Sequence, residues 1–247
     1  MFLNIYSQKY ITIPQEYKAV YEFKLKTDST STEYRNCTLS LYISEKKSIV
    51  QDFYKEKSDS ALISLNPERY YDMSNYSKKV LNSVISKDFE NQELVYSELV
   101  GMNNLGYKEK LPLFNWKIEK DNKIISGYKC IKATTRHRGR NYIAWFAPEI
   151  PFQDGPYKFS GLPGLIIEIY DDKRNFIFSL QSFNKIKKEV LYDTKITFTK
   201  REKILQAKLD AYYNPPDVKI YIPSQDRYEN LKDGKREKIV INPIELN

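Results

Sequence analysis

The chain has 247 residues, a formal net charge of +8, 41% apolar and 14% aromatic residues, and eight glycines. That composition excludes a disordered chain and supplies apolar surface for a sizeable core. Lysines alternate with Asp and Glu along the whole sequence, so the positive balance reads as a solvated mixed-charge surface, and nucleic acid is not an expected partner.

No segment is apolar and uncharged over the length that a membrane-spanning helix needs. The opening residues Met1-Phe2-Leu3-Asn4-Ile5-Tyr6-Ser7-Gln8 read like the last apolar residues of a signal peptide ahead of a small residue at a cleavage point, without the basic start of a complete one. The expectation is an exported protein, periplasmic or outer-membrane-associated, with residues 1–7 a signal remnant and residues 8–247 one β-rich domain. Cys37 and Cys130 fit either a single disulfide or two buried thiols, because pairing cannot be deduced from sequence.

Period-two alternation dominates the chain. Tyr17, Ala19, Tyr21, Phe23 and Leu25 share one face of a half-buried strand, residues 27–36 turn, residues 37–44 repeat the alternation, and residues 48–54 return. Residues 55–79 are polar and irregular, with a short helical turn at Asn66-Pro67-Glu68. Residues 80–98 admit a helix or a hairpin, and their β-branched content favours strands. Residues 114–119 lead through a turn at Asp121-Asn122 into a strand over 124–133, and 141–147 form another. After a Pro- and Gly-rich loop over 148–164, strands 165–170 and 176–183 flank a turn at 171–175. Thr199 and Glu202 predict a capping box, and Ile204, Leu205, Leu209 and Tyr212 continue at helical spacing until Asn214-Pro215-Pro216. The fold class expected is α+β, mainly antiparallel β: a strongly curved sheet or half-barrel whose helix covers the concave side.

The 148–164 loop carries the strongest signal, because its prolines fix φ and its glycines admit positive φ, which specifies a path. It ends in Gly161-Leu162-Pro163-Gly164-Leu165-Ile166. Upstream stand Gly127, Tyr128, Cys130, Lys132 and Ala133, then Gly139-Arg140, Ala144-Trp145-Phe146 and Gly155-Pro156-Tyr157-Lys158-Phe159; the tail holds Asn242-Pro243-Ile244-Glu245-Leu246. On these motifs the chain resembles the GLPGLI family of exported Gram-negative envelope proteins. The resemblance covers roughly residues 116–183 plus the tail and implies export, but no catalytic residue and no ligand.

Chemistry is argued mostly from scarcity. The single histidine, His137, lies among Arg136, Arg138 and Arg140, whose charges favour its neutral form, but Cys130 is seven residues away along a strand and no GxSxG elbow is present. One His and two separated Cys do not make a zinc site, so neither metal nor cofactor is expected. Asp171-Asp172 suits a turn better than a hard cation. Glu149, Asp154 and Glu168 are the candidate acid pair, with nothing in their spacing to make them converge. The leading expectation is a non-enzymatic binding protein that takes an apolar ligand or an envelope partner protein at the loop. Its candidate residues are Arg138, Arg140, Trp145, Phe152, Asp154, Tyr157, Phe159, Gly161, Leu162, Pro163 and Gly164. The alternative is an envelope hydrolase using His137 or an acidic pair. An accessible apolar cleft beside Tyr157 and Phe159 is what an apolar-ligand site requires.

Overall fold

The computed structural model describes residues 10–56, 81–101, 103–213, 218–222, 227–231 and 244–245. Alternating apolar residues pair their backbones into one antiparallel sheet of 12 strands, and a separate hairpin follows the only long helix among the described residues. The sheet strands are β1 (Tyr10–Leu25), β2 (Arg35–Ile43), β3 (Lys47–Asp52), β4 (Ser83–Asp88), β5 (Glu93–Val100), β6 (Asn103–Lys110), β7 (Lys117–Ile125), β8 (Tyr128–His137), β9 (Arg140–Ala147), β10 (Leu165–Asp171), β11 (Phe176–Asp193) and β12 (Thr197–Phe198). The helix α1 covers Arg201–Tyr213, and β13 (Val218–Ile222) pairs with β14 (Arg227–Leu231).

Two meanders meet at the centre of the sheet. Its order is β12-β6-β5-β4-β3-β2-β1-β11-β10-β9-β8-β7, so β1 and β11 join the meander β2–β6 to the run β10-β9-β8-β7 that carries the 148–164 loop between β9 and β10. The sheet is open, since no hydrogen-bonded ladder joins β7 to β12 among the described residues. Only the two-residue β12 is parallel to its neighbour, β6.

The expected alternation decides the inner face. Ala19, Tyr21 and Phe23 of β1 face cross-strand partners Leu41, Leu39 and Cys37 of β2 and, through β11, Phe178, and all are buried. Phe23 stacks on Phe178 with ring centroids 4.1 Å apart. Burying such side chains contributes about 1.5–3 kcal/mol each.

Several expected boundaries change. β1 begins at Tyr10 rather than Tyr17, because its first half pairs with an unexpectedly long β11 that runs to Asp193. The turn expected at Asp121-Asn122 is an irregularity within β7; the reversal comes at Ser126-Gly127, where φ is 51° and 85°, the double positive φ that a tight hairpin demands. β6 was not expected from its polar sequence, but its pairing with β5 supplies what its composition lacks. The ambiguous 80–98 stretch is the β4–β5 hairpin. The signal remnant at 1–7 and the turn at Asn66-Pro67-Glu68 lie outside the described residues.

Helix α1 starts at Arg201, with Ile204 N donating to Lys200 O, while Thr199 N donates to Gly106 O of β6. Of its apolar residues Ile204 is buried and Leu205 exposed, and Lys208 pairs with Glu98 of β5 at 2.9 Å. The 148–164 loop also packs into the sheet's main core, through Ile150, Tyr157, Phe159 and Leu162.

Candidate functional site

The loop folds inward. Residues 154–160 are all buried, with Tyr157 8% and Phe159 1% exposed. Phe159 packs against Phe114, Tyr142 and Phe178 at centroid distances of 5.0, 4.9 and 5.8 Å, and Phe152 sits 4.9 Å from Tyr17 of β1. Backbone groups on this path find partners, as burial requires: Gly161 N donates to Gln153 O, Ile166 N to Asp154 O, and the Trp116 indole to Ser160 O at 2.8 Å. The cleft expected beside Tyr157 and Phe159 is therefore occupied by the two rings themselves, in a closed core. Outward, the loop presents a stiff rim of Pro148, Glu149, Pro151, Gln153, Gly161 and Pro163.

Two glycines make the path possible. Gly161 has φ +93°, and at Gly164, with φ +155°, an added Cβ would lie 2.3 Å from the Ala147 carbonyl oxygen. Tyr157 adopts φ 53° without being glycine, and this turns the next residue, Lys158, into the sheet.

Lys158 is fully buried and pays for that burial with a complete set of partners. Its Nζ donates to Tyr107 Oη at 2.6 Å and Glu109 Oε2 at 2.7 Å, and lies 2.7 Å from Glu245 Oε1. The Tyr107, Tyr96 and Tyr157 rings surround it at 4.7, 5.4 and 5.7 Å, a cation–π cage filled by the protein's own lysine. Arg138 donates to both Glu109 and Glu245, and Arg201 of α1 holds Glu245 Oε2 at 3.0 Å. Burial alone would raise the Glu245 carboxyl, but the charges and hydrogen bonds of Lys158 and Arg138 outweigh it and hold the group below the usual carboxylate range.

A second buried pair anchors the other side of the loop. Lys87 Nζ, wholly buried, donates to Asp154 Oδ1 at 2.5 Å and to the carbonyls of Gly155 and Phe159 at 2.8 and 3.2 Å. A third joins Arg140 to Asp171 at 3.1 Å, where Asp171 also accepts from Asn175 and from Phe176 N.

The structure thus separates residues that the sequence groups. Arg136 is exposed, Arg138 occupies the Arg138-Gly139 turn with φ 42° and 76°, and Arg140 is buried, so the three arginines around His137 do not form one cluster. Trp145 lies on the outer face under Lys123, whose Nζ is 4.3 Å from its ring and 3.0 Å from Glu168. Asp154 is inside with Lys87, Glu168 outside with Lys123, and Glu149 exposed, so these carboxylates do not converge. Leu162 is core. Asp171 is the acceptor of a structural turn, Asp172 accepts from Asn141, and no group of three potential metal ligands occurs among the described residues.

Cys37 and Cys130 are both free thiols, in strands five positions apart in the sheet order, so the bridge between them does not form. His137 packs 4.6 Å from Phe114; burial first, then Arg138 and Lys158, lower its pKa against the pull of Glu245, and its buried Nε2 has no hydrogen-bond partner among the described residues. Lys87, Glu109 and Arg201 are not among the residues singled out from sequence, and Lys158 and Glu245 stand there only as members of the family motifs, with no role given to them. Period two does place Lys87 on the face of Ser83 and Ile85, which was the available signal.

An open cleft of about 400 Å³ lies elsewhere, between residues 115–117 and the β8–β9 hairpin, lined by Lys117, Thr134, Arg136, Tyr142, Ile143 and Asp172 among others. 

These features define an open antiparallel sheet plugged by its own loop. The family model described as "Protein of unknown function (Porph_ging)" matches residues 135–168, the stretch from the end of β8 through the plug into β10. No curated protein matches the chain. Among solved structures it is similar to PNGF-II in two crystal forms, with TM-scores of 0.58 and 0.57 at 13% identity. Each match covers 84% of this chain and 35% of that one, so the likeness is one of fold over about a third of PNGF-II. A LolA superfamily protein from Nitrosomonas europaea overlaps 77% of this chain and 89% of its own, with a TM-score of 0.26 at 7% identity. No helix among the described residues is long and apolar enough to cross a membrane.

Proposed function

We propose that the chain is an exported envelope protein of the GLPGLI type that works by binding a partner protein at the exposed rim of its 148–164 loop. The observation that carries this reading is the division within the loop. Residues 154–160 are committed to the core, while the prolines at 148, 151 and 163 hold an outward ridge at little entropic cost. An apolar small molecule is the weaker occupant, because Tyr157 and Phe159 already fill the space it would take. The non-enzymatic part of the reading is supported by the pairing of the buried ionisable groups with one another. A hydrolase needs a nucleophile or second acid within hydrogen-bond reach of His137, and among the described residues its Nε2 has no hydrogen-bond partner.

The test is native mass spectrometry of the protein isolated from an envelope fraction, wild type beside Gln153→Arg and Pro151→Arg. Both sites are exposed, so the variants keep the wild-type Tm, and the expected result is a bound protein mass lost in both. A bound mass in the lipid range, unaffected by either substitution, overturns the reading. N-terminal sequencing of the same material tests export, which predicts a processed start near Gln8.

A further inference from the structure

Glu245 and its neighbour Ile244 are held as a bound peptide is held. The Glu245 carboxylate meets cations from three separate elements: Lys158 of the loop at 2.7 Å, Arg138 of the β8–β9 turn, and Arg201 of α1 at 3.0 Å. The backbone is read as well. Arg201 Nη2 donates to Glu245 O at 2.9 Å and Tyr142 Oη to Ile244 O at 2.5 Å. Ile244 packs against the main core cluster.

All of the receiving groups belong to elements that the rest of the fold positions. Tyr142 is in β9, Arg138 in the tight turn beside it, Lys158 in the plug, and Arg201 at the start of a helix tied to β6 through Thr199. Without the glutamate, Arg138 and Lys158 would share the one carboxylate of Glu109 among the described residues, and Arg201 would lose the carboxylate it holds, which is expensive in a largely desolvated space unless another anion enters. A charge-assisted carboxylate contact combined with main-chain recognition is the chemistry of acidic-peptide capture.

We infer that Arg138, Lys158, Arg201 and Tyr142 form a binding site for a peptide segment in which an aliphatic residue precedes a glutamate, occupied here by the chain's own residues 244–245. A segment of the same chemistry supplied in trans exchanges with the resident one. This site is separate from the loop rim, so its fate and that of the partner reading are independent.

The test uses the full chain and a labelled synthetic peptide, Asn-Pro-Ile-Glu-Leu, copied from residues 242–246. Fluorescence anisotropy is expected to give at least tenfold tighter binding to the Glu245→Ala chain than to wild type, and at least tenfold weaker binding when the peptide carries Glu245→Gln. Equal binding of the two peptides, or no binding to a Glu245→Ala chain that retains wild-type circular dichroism, overturns the inference. Should that variant not fold, hydrogen exchange on wild type decides: faster exchange at residues 244–245 with excess peptide supports the site, and unchanged exchange overturns it. A concentration-dependent dimer that the peptide dissociates would identify the partner as a second copy.

Discussion

Arg138 donates to Glu109 across a gap that a flat sheet would make impossible. Glu109 is in β6, second in the strand order, and Arg138 is in the turn between β8 and β9, eleventh and tenth. Eight strand spacings of about 4.8 Å would put them roughly 38 Å apart. The sheet therefore curls until its flanks meet, and side-chain charge closes the seam where backbone ladders do not. Glu109→Gln leaves Arg138 and Lys158 sharing one carboxylate, and urea denaturation is expected to show a loss of about 1.5–3 kcal/mol. A change under about 0.5 kcal/mol would mean the seam is held by packing alone.

The Lys87–Asp154 pair ties the plug to β4 in a fully desolvated setting. Asp154→Ala strands an ammonium there and is expected to cost about 3–5 kcal/mol, whereas the double variant with Lys87→Met is less destabilised than Asp154→Ala alone. The double-mutant cycle, run by chemical denaturation, checks this; additive losses contradict it.

Gly164→Ala drives a methyl to 2.3 Å from the Ala147 carbonyl oxygen, which is backbone and cannot step aside. The expected cost is about 1–3 kcal/mol, read as a fall in Tm of several degrees.

Acid should unfold the protein in a defined window. Glu245 and Glu56 are both held below the ordinary carboxylate value of 4.5. For Glu56, burial would raise the pKa, but hydrogen bonds from Lys188 and Tyr42 and the charge of Lys18 bring it down to about 2. A depressed folded pKa means the stabilisation is complete above 4.5 and is lost as pH falls towards the folded value. Tm measured from pH 7 to 2 is expected to drop below pH 4.5, and Glu56→Gln to flatten part of that drop.

Both thiols are expected to resist alkylation in the folded chain. Burial raises Cys130 to about 11 and Cys37 further, so little thiolate exists at neutral pH. Iodoacetamide followed by mass spectrometry should label neither until denaturant is added, and peptide mapping without reductant should find no Cys37–Cys130 linkage.

The antiparallel alternation of β1, β2, β9, β10 and the first half of β11 was legible in the sequence, as was the helix from 201, because local apolar spacing reflects which face a sheet or helix buries. The singular path of 148–164 was legible too, from its prolines and glycines. Its direction was not. Those residues specify backbone angles but not which side of the sheet the loop enters, and only tertiary packing turned Tyr157, Lys158 and Phe159 inward. The same holds for the charges: Arg138, Lys158, Glu109 and Glu245 lie 20 to more than 100 positions apart in places, and one-dimensional spacing carries no record of a seam that forms when a sheet curls. Composition and periodicity settled what could be buried; the closure of the sheet on its own loop and tail decided what those buried groups are for, because charge in a desolvated space must find its partner through the fold.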